Sequence, residues 1–492
     1  MDDNRILVSA TIKGTAWNYL IFGLSKGVTF VATIILARLL SPDEFGLMAL
    51  GLIVIGYLDS FSGWGVENVV IYEQDNVEHN SNVAFTLGLI FNAIISVTAF
   101  LIAPWVATFF NDPRITDIVR TLSIIFIICG LGSIHAARLK KELHFRQTLL
   151  PEFGKAAAKA IVSISLALAG YGVWSLVWGQ LAANVAASSL YWLVYRWRPR
   201  LTLDVRTSRH LLGYSSQTVL SQFMGAIVTN IDYLIVGKRL GPDNLGYYTM
   251  AFRVPELLIV NTCYIVSNAL FPAYSKLQND LASLRKGFLL ALRYIALYTV
   301  PVGVGMFIVT PEFVEVIFGD RWIPAIPVMQ AISLYAVIYS LSFNAGDIYK
   351  AIGRPDIMNI LGIFKLAVAI PLLWLAGGYN IYYVGLAQVI AHSFLTVVRF
   401  IVIKRMISLR WRDILSALQP AISGTLVMFL CVYALQIWLR SMAPLFQLVI
   451  LPVVGVLVYA TAIWFTNREV ARKGIDMLRH TFSKRTKPES GQ

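Results

Sequence analysis

Six basic side chains interrupt the most apolar stretches of this chain: Lys26, Lys159, Arg253, Arg293, Lys365 and Arg399. A charge at the centre of a bilayer costs about 2.5–3.5 kcal/mol on insertion scales, so each must face protein, water or a ligand, or reach the interface. Lys26 and Lys365 lie near the middle of their runs, too deep to snorkel easily, and Arg253 is about two turns into its run. Lys159, Arg293 and Arg399 lie within about two turns of a run's end, where snorkelling to the headgroups accounts for them most simply. Cations held that deep do anion chemistry, because an ammonium or guanidinium binds phosphate or carboxylate strongly away from water. Glu256 follows Arg253 at an i,i+3 spacing that permits an ion pair, so Arg253 reads either as half of a structural pair or as a ligand contact. Lys365 fits a cavity or a groove equally. Asp59 and Asp232 are candidates to pair with these cations or to carry a coupling proton or Na⁺. His392 titrates in the range of a proton carrier, with a hydrogen-bonded structural histidine as the commoner alternative. Asn92, Asn230, Asn261 and Asn344 read as interhelical hydrogen-bond donors.

The elements that must carry these residues follow from composition. The chain has 492 residues, 57% hydrophobic and only 14% charged, with a mean hydropathy of +0.67. That excludes both an ordinary soluble enzyme and a disordered chain. The net charge of +14 would suggest nucleic acid in a soluble protein, but in a membrane protein it marks cytoplasmic loops. Cys129, Cys263 and Cys431 sit in apolar runs without metal or redox spacing and read as small buried hydrophobes. No GxxxxGK[ST], HExxH or GxSxG signature occurs, so no cofactor, metal or enzymatic activity is expected. The polar segment Met1 to Gly14 followed by a long apolar run is not a secretory signal.

A spanning helix needs about 20 apolar residues, and fourteen runs qualify. They fall near 15–37, 45–64, 83–106, 118–137, 153–170, 173–195 and 211–236, then 245–270, 287–309, 325–346, 357–377, 381–403, 414–438 and 445–466. With the N-terminus cytoplasmic, 28 of the 41 Lys and Arg lie in inner segments and 7 in outer ones, the bias expected of fourteen spans with both termini inside. One segment dissents: Glu73 to Asn82 is placed inside yet has no Lys or Arg. The connection Arg138 to Glu152 reads as a basic amphipathic helix on the inner leaflet. No connection is long enough for a soluble catalytic domain.

The segment Ile35-Leu-Ala-Arg-Leu-Leu-Ser-Pro-Asp-Glu-Phe-Gly46 recurs as Ile235-Val-Gly-Lys-Arg-Leu-Gly-Pro-Asp-Asn-Leu-Gly246. Ile35/Ile235, Leu40/Leu240, Pro42/Pro242, Asp43/Asp243 and Gly46/Gly246 are identical at one offset. Six spans separate the copies, so the halves share one orientation, a parallel repeat of the kind found in alternating-access transporters. The expected organisation is a lobe of helices 1–6 over residues 1–209 and a second of helices 7–12 over 210–405. Helices 13–14 over 406–466 and a basic cytoplasmic tail over 467–492 complete it. The fold class is an all-α integral membrane protein, two parallel six-helix lobes around a central cavity with two extra helices.

Three segments carry a resemblance: Ile35 to Leu50, Asn268 to Lys276 and Phe313 to Trp322. They resemble the polysaccharide-exporter branch of the multidrug/oligosaccharidyl-lipid/polysaccharide exporter superfamily, and the likeness extends over nearly the whole chain. It implies a flippase that moves an undecaprenyl-diphosphate-linked oligosaccharide from the inner to the outer leaflet of a bacterial inner membrane, by alternating access around a cationic cavity. It further implies Lys26 and Arg253 as cavity cations, work beside glycosyltransferases, a polymerase and a chain-length regulator, and no nucleic-acid partner. The membrane potential favours such cargo, since one negative charge moves outward downhill by about 2.3 kcal/mol per 100 mV. A drug exporter of the same superfamily would call for an aromatic, acidic pocket, whereas the deep charges here are mainly basic. A membrane polymerase would need a long outer loop with catalytic Arg, His or Glu.

Overall fold

The computed structural model describes residues 23–72, 75–142, 144, 146–466 and 468. The polar N-terminus, the first part of the first expected span and, except for residue 468, the basic tail lie outside the described residues. The described chain is built of helices. Nine helical segments among them are long and apolar enough to cross a membrane, and one of these, Val219–Lys276, carries two of the expected spans. The protein is a multi-pass helical membrane protein.

The first compact unit comprises Met1–Thr249. Helix α1 covers 23–39, α2 Pro42–Asp59, α3 Val66–Tyr72, α4 Val77–Phe110, α5 Arg114–Lys141, α6 Leu149–Leu168 and α7 Val173–Val194; α8, Val205–Pro255, begins in this unit and leaves it. Gly241 breaks α8 with φ 79°, a conformation that costs glycine nothing and other residues strain. Its two arms are the seventh and eighth expected spans. Residues 210–249, which the repeat assigns to the second half, belong to this unit, and the second Pro-Asp turn packs against the first.

The ends of these helices expected to be cytoplasmic differ from expectation in one respect. Among the described residues no separate amphipathic helix follows Arg138: α5 runs to Lys141 and α6 starts at Leu149. Arg138, Lys140 and Lys141 fill the last turn of α5, where cations complement the helix dipole and extend the helix. The dissenting acidic segment has a physical reason. Arg138 reaches back to Glu78 on α4 at 2.8 Å and stacks over Tyr195 and Trp197, so the neighbouring basic segment supplies the missing charge.

The second compact unit comprises Met250–Gln492. The end of α8 passes through a π-helical turn, Glu256–Val260, into α9, Asn261–Lys276. There follow α10 Leu281–Phe313, α11 Ile326–Phe343, α12 Ala345–Ala351, α13 Asp356–Ala376, α14 Ile381–Met406, α15 Trp411–Trp438 and α16 Pro444–Thr466. Polar caps start two of them: Asp280 accepts from the amides of Ala282 and Ser283, and Asn380 from that of Tyr383, satisfying otherwise orphaned donors. Phe288, Leu292, Ile348, Tyr349 and Ile403 are buried in one core. Leu445, Val449, Val453, Val456 and Phe465 of α16 are exposed, as befits a lipid-facing stripe. Cys263 is buried, but Cys129 is half-buried and Cys431 exposed, so the three are not uniformly core residues.

Candidate functional site

The repeated turns meet. Ser41 caps α2, its backbone N–H donating to Glu44 Oε2 at 2.6 Å while the Glu44 amide donates to Ser41 Oγ at 3.4 Å, a capping box. In the second copy Gly241 takes the place of Ser41, and Asn244 donates from Nδ2 to Leu240 O at 2.9 Å. Gly46 and Gly246 then bring the two helix starts together. A Cβ on Gly46 would lie 1.8 Å from the Pro242 carbonyl oxygen, and one on Gly246 would lie 1.9 Å from that of Pro42. The contact is reciprocal, as two related turns packed face to face require. Asp43 is held by Arg114, whose Nη1 and Nη2 donate to it at 2.6 and 2.9 Å, and Asp243 is exposed.

Other sequence candidates in this unit are separated. Lys26 is half-buried on α1. Asp59 is exposed at the end of α2, with Lys155 of α6 near enough to act on it electrostatically. Asp232 is buried and accepts a hydrogen bond from the Tyr248 hydroxyl at 2.8 Å, which ties one arm of α8 to the other across the Gly241 break. Lys159 donates to Gln180 Oε1 at 2.6 Å and so turns into the protein rather than outward to headgroups.

In the second unit Arg253 is half-buried at the end of α8, with a buried Nε that has no hydrogen-bond partner. Among the described ion pairs none joins it to Glu256, although the spacing permits one. The π-helical turn starting at Glu256 widens the helix there and shifts the register on which the i,i+3 contact depends. Arg293 also has a buried, unpartnered Nε.

Lys365, His392 and Arg399 come together in this unit, both cations acting on the imidazole. His392 is 2% exposed, with an unpartnered Nδ1. The Tyr335 ring meets it edge-on at 4.4 Å, and Tyr339 lies at 5.9 Å. Arg399 does not snorkel: its Nη1 donates to Ser342 Oγ at 3.2 Å, and Ser342 is buried. Depth alone suggested the interface, but the face of α14 decides, and Arg399 lies on the face of His392. Two signals in the sequence point to this cluster. His392 and Arg399 are seven residues apart, nearly two whole turns, and Tyr335, Tyr339 and Phe343 recur at i, i+4 and i+8 on α11.

A separate apolar chamber of about 510 Å³ lies among α10, α15 and α16, lined by Leu258, Tyr298, Met306, Met428, Leu448 and Tyr459. Its walls suit a hydrocarbon chain. Sequence reasoning left the last two helices without a role, since uniformly apolar spans give no sign of a groove between them.

The fold is similar to that of solved transporters of the multidrug/oligosaccharidyl-lipid/polysaccharide superfamily, among them an inward-facing multidrug resistance MATE family transporter, with a TM-score of 0.67 at 16% identity over 78% of this chain and 94% of that one. Among solved structures, lipid II flippase MurJ in an inward closed conformation superposes with a TM-score of 0.74 at 15% identity, covering 92% of this chain and 99% of that one. A family model described as polysaccharide biosynthesis protein matches residues 35–327, and the chain belongs to that family. It is 24% identical over 373 residues to the lipopolysaccharide biosynthesis protein WzxC of Escherichia coli (strain K12), covering 75% of each chain. It is also 24% identical over 351 residues to the succinoglycan biosynthesis transport protein ExoT of Rhizobium meliloti (strain 1021), covering 70% of each.

Proposed function

We propose that this protein is a flippase for oligosaccharides linked to undecaprenyl diphosphate, moving them from the cytoplasmic to the periplasmic leaflet of a bacterial inner membrane for exopolysaccharide, capsule or lipopolysaccharide synthesis. The observation that carries this reading is the state of Arg253, a guanidinium deep in an apolar helix with a buried Nε lacking a partner and no ion pair to the nearby Glu256. A charge retained at such a depth is a functional group by default, and a diphosphate is the anion that family membership suggests. Lys26 and Arg253 each offer a cation to it, and Lys365 a further one. The chamber beside α15 and α16 takes part of the polyprenyl chain.

Residues 1–209 and 210–405 act as the two moving lobes of an alternating-access cycle, with 406–466 as the appended pair and both termini cytoplasmic. Asp59, Asp232, Glu256 and His392 are the groups available for ion coupling. The twin turns Pro42-Asp43 to Gly46 and Pro242-Asp243 to Gly246 close the outer end. The reaction is transport rather than bond-making, and polymerase, chain-length regulator and glycosyltransferases act before and after it.

Deletion followed by leaflet-resolved analysis of undecaprenyl-linked glycans tests this directly. Build-up on the cytoplasmic side is expected. Unpolymerised units collecting on the periplasmic side would instead identify a polymerase. In proteoliposomes the flipping rate should respond to voltage or to an ion gradient, and a rate indifferent to both would count against the coupled mechanism.

A further inference from the structure

Arg399 is one of three deep basic residues, with Lys159 and Arg293, that the cavity assignment above does not use. The groups on the elements packed against α14 can be accounted for one by one. On α12, Asp347 accepts from Ser267 at 2.7 Å and lies 3.7 Å from Lys350. At the start of α13, Asp356 is paired with Arg354 at 2.9 Å. From α11 come Ser342 and the tyrosines, and from α13 another cation, Lys365. Among the described residues, no carboxylate pairs with Arg399; Tyr335, Tyr339 and Tyr349 lie near enough to act on it electrostatically, and the Tyr349 hydroxyl donates to its backbone oxygen at 3.1 Å. A charge removed from water without a counter-ion is expensive, and one neutral serine hydroxyl is weak compensation for a guanidinium with five donors.

The surroundings also have a shape. Tyr335 and Tyr339 stack at 6.1 Å, and Tyr339 lies 5.4 Å from Phe343. Tyr264 on α9 meets Phe343 edge-on at 5.0 Å, its hydroxyl 3.5 Å from that of Tyr339, and is 53% exposed. The result is an aromatic wall with polar tips and an accessible edge. Aromatic faces offer apolar area while their hydroxyls remain available to polar ligands, the combination suited to a sugar, whose ring has an apolar C–H face and a polar rim.

We infer that Arg399, His392 and the Tyr264–Tyr339–Phe343 wall form a subsite in the second unit for a pyranose that carries a negative charge, the wall taking the ring and Arg399 the anion. This rests on the transport reading and adds to it a point at which the cargo's sugar is recognised. Two sources share that chemistry: the sugar attached to the diphosphate, and an acidic sugar within the repeat unit.

The test is equilibrium binding of glucose 1-phosphate, glucuronate and glucose to the purified full-length protein. Wild type should prefer at least one anionic sugar over glucose by about tenfold or more, the scale of one charge-assisted hydrogen bond. A lead for glucose 1-phosphate assigns the diphosphate-linked sugar, and a lead for glucuronate an acidic sugar of the repeat. Arg399→Gln should remove the preference while leaving glucose binding unchanged. If that variant does not fold, Tyr339→Leu serves instead and should weaken all three sugars alike by severalfold. Equal binding of charged and neutral sugars by wild type, or wild-type binding in either folded variant, would overturn the subsite. These results are independent of transport. A failed subsite leaves the flippase reading standing, whereas normal sugar binding together with no cytoplasmic build-up on deletion would sink the flippase reading alone.

Discussion

The two compact units answer their deeper cations with different partners. In the first, the well-defined cations are answered by the protein itself: Arg114 by Asp43 and Asp112, Arg138 by Glu78, Lys159 by the Gln180 amide oxygen. In the second, the paired charges Lys350–Asp347 and Arg354–Asp356 sit near helix ends, while Arg399 deeper in α14 has tyrosines near it and, among the described residues, no carboxylate partner. A buried Nε without a partner occurs in both units, on Arg120 and Arg138 in the first and on Arg253 and Arg293 in the second. A pair satisfied within the fold contributes to the frame and little else. A cation left open in an apolar helix costs stability that only a bound anion offsets. The carboxylate-paired cations of the first unit therefore read as part of its frame, whereas Arg399 in the second has no such partner among the described residues.

The sharpest way to break this contrast is to compare Arg253→Ala with Arg138→Ala. Arg253→Ala, and likewise Lys26→Ala, should cut export by about 10- to 100-fold, the equivalent of one charge-assisted hydrogen bond of ~1.5–3 kcal/mol lost to the cargo, with protein abundance near wild type. Arg138→Ala removes a salt bridge and the stacking on Tyr195 and Trp197, so it should lower abundance, with export falling only in proportion. Quantitative blotting alongside a glycan-export assay separates the two. Wild-type export by both Lys26→Ala and Arg253→Ala would end the cationic-site assignment.

The fourteen expected spans fall on α1, α2, α4 to α7, the two arms of α8 with α9, α10, α11, and α13 to α16, because a bilayer requires long apolar helices and the sequence has to write them plainly. The repeat was equally legible, since five identities share one offset. Its consequence was not: that Gly46 and Gly246 are glycines because each touches the other turn's carbonyl is a fact about two segments 200 residues apart. Arg399 was misread for a different reason. Its depth along the helix says how far the headgroups are, but only the helix face says whether the side chain can point to them. The spacing of Arg253 and Glu256 left an ion pair and a ligand contact both open, since a π-helical turn such as the one starting at Glu256 leaves no mark in the spacing of residues.

The twin turns allow a second, smaller comparison, between copies rather than units. Gly46→Ala and Gly246→Ala each push a methyl into a backbone carbonyl that cannot swing aside, so each should destabilise by about 3 kcal/mol, the upper end for overpacking. The two losses should be equal in thermal unfolding of detergent-solubilised protein, because the contacts are reciprocal; a large inequality would mean that only one copy bears on stability. The caps should differ where the glycines do not. Ser41→Ala removes a capping box and should cost about 1 kcal/mol. Asn244→Ala, which removes one side-chain bond to a carbonyl, should cost no more than about half of that.

The smallest expected effect tests whether the first unit's Arg114 pairs are part of the frame. Asp112 lies between α4 and α5, and the Arg114 guanidinium bonded to it lowers its carboxyl below the ordinary value of 3.8. A carboxylate whose folded-state value is depressed adds stability that is complete above its unfolded value, near 4, and disappears as the pH falls through the depressed folded value. The Arg114 side chain is 53% exposed, so solvent and salt screen the pair and the gain stays below about 1 kcal/mol. Arg114→Ala should lower the thermal midpoint slightly at pH 6, and the gap from wild type should close progressively below pH 4. It should also narrow in high salt at pH 6. A gap that keeps its size at pH 3 would show that Arg114 works through packing against the turn rather than through its charge, and the first unit's pairs would then be incidental to the frame.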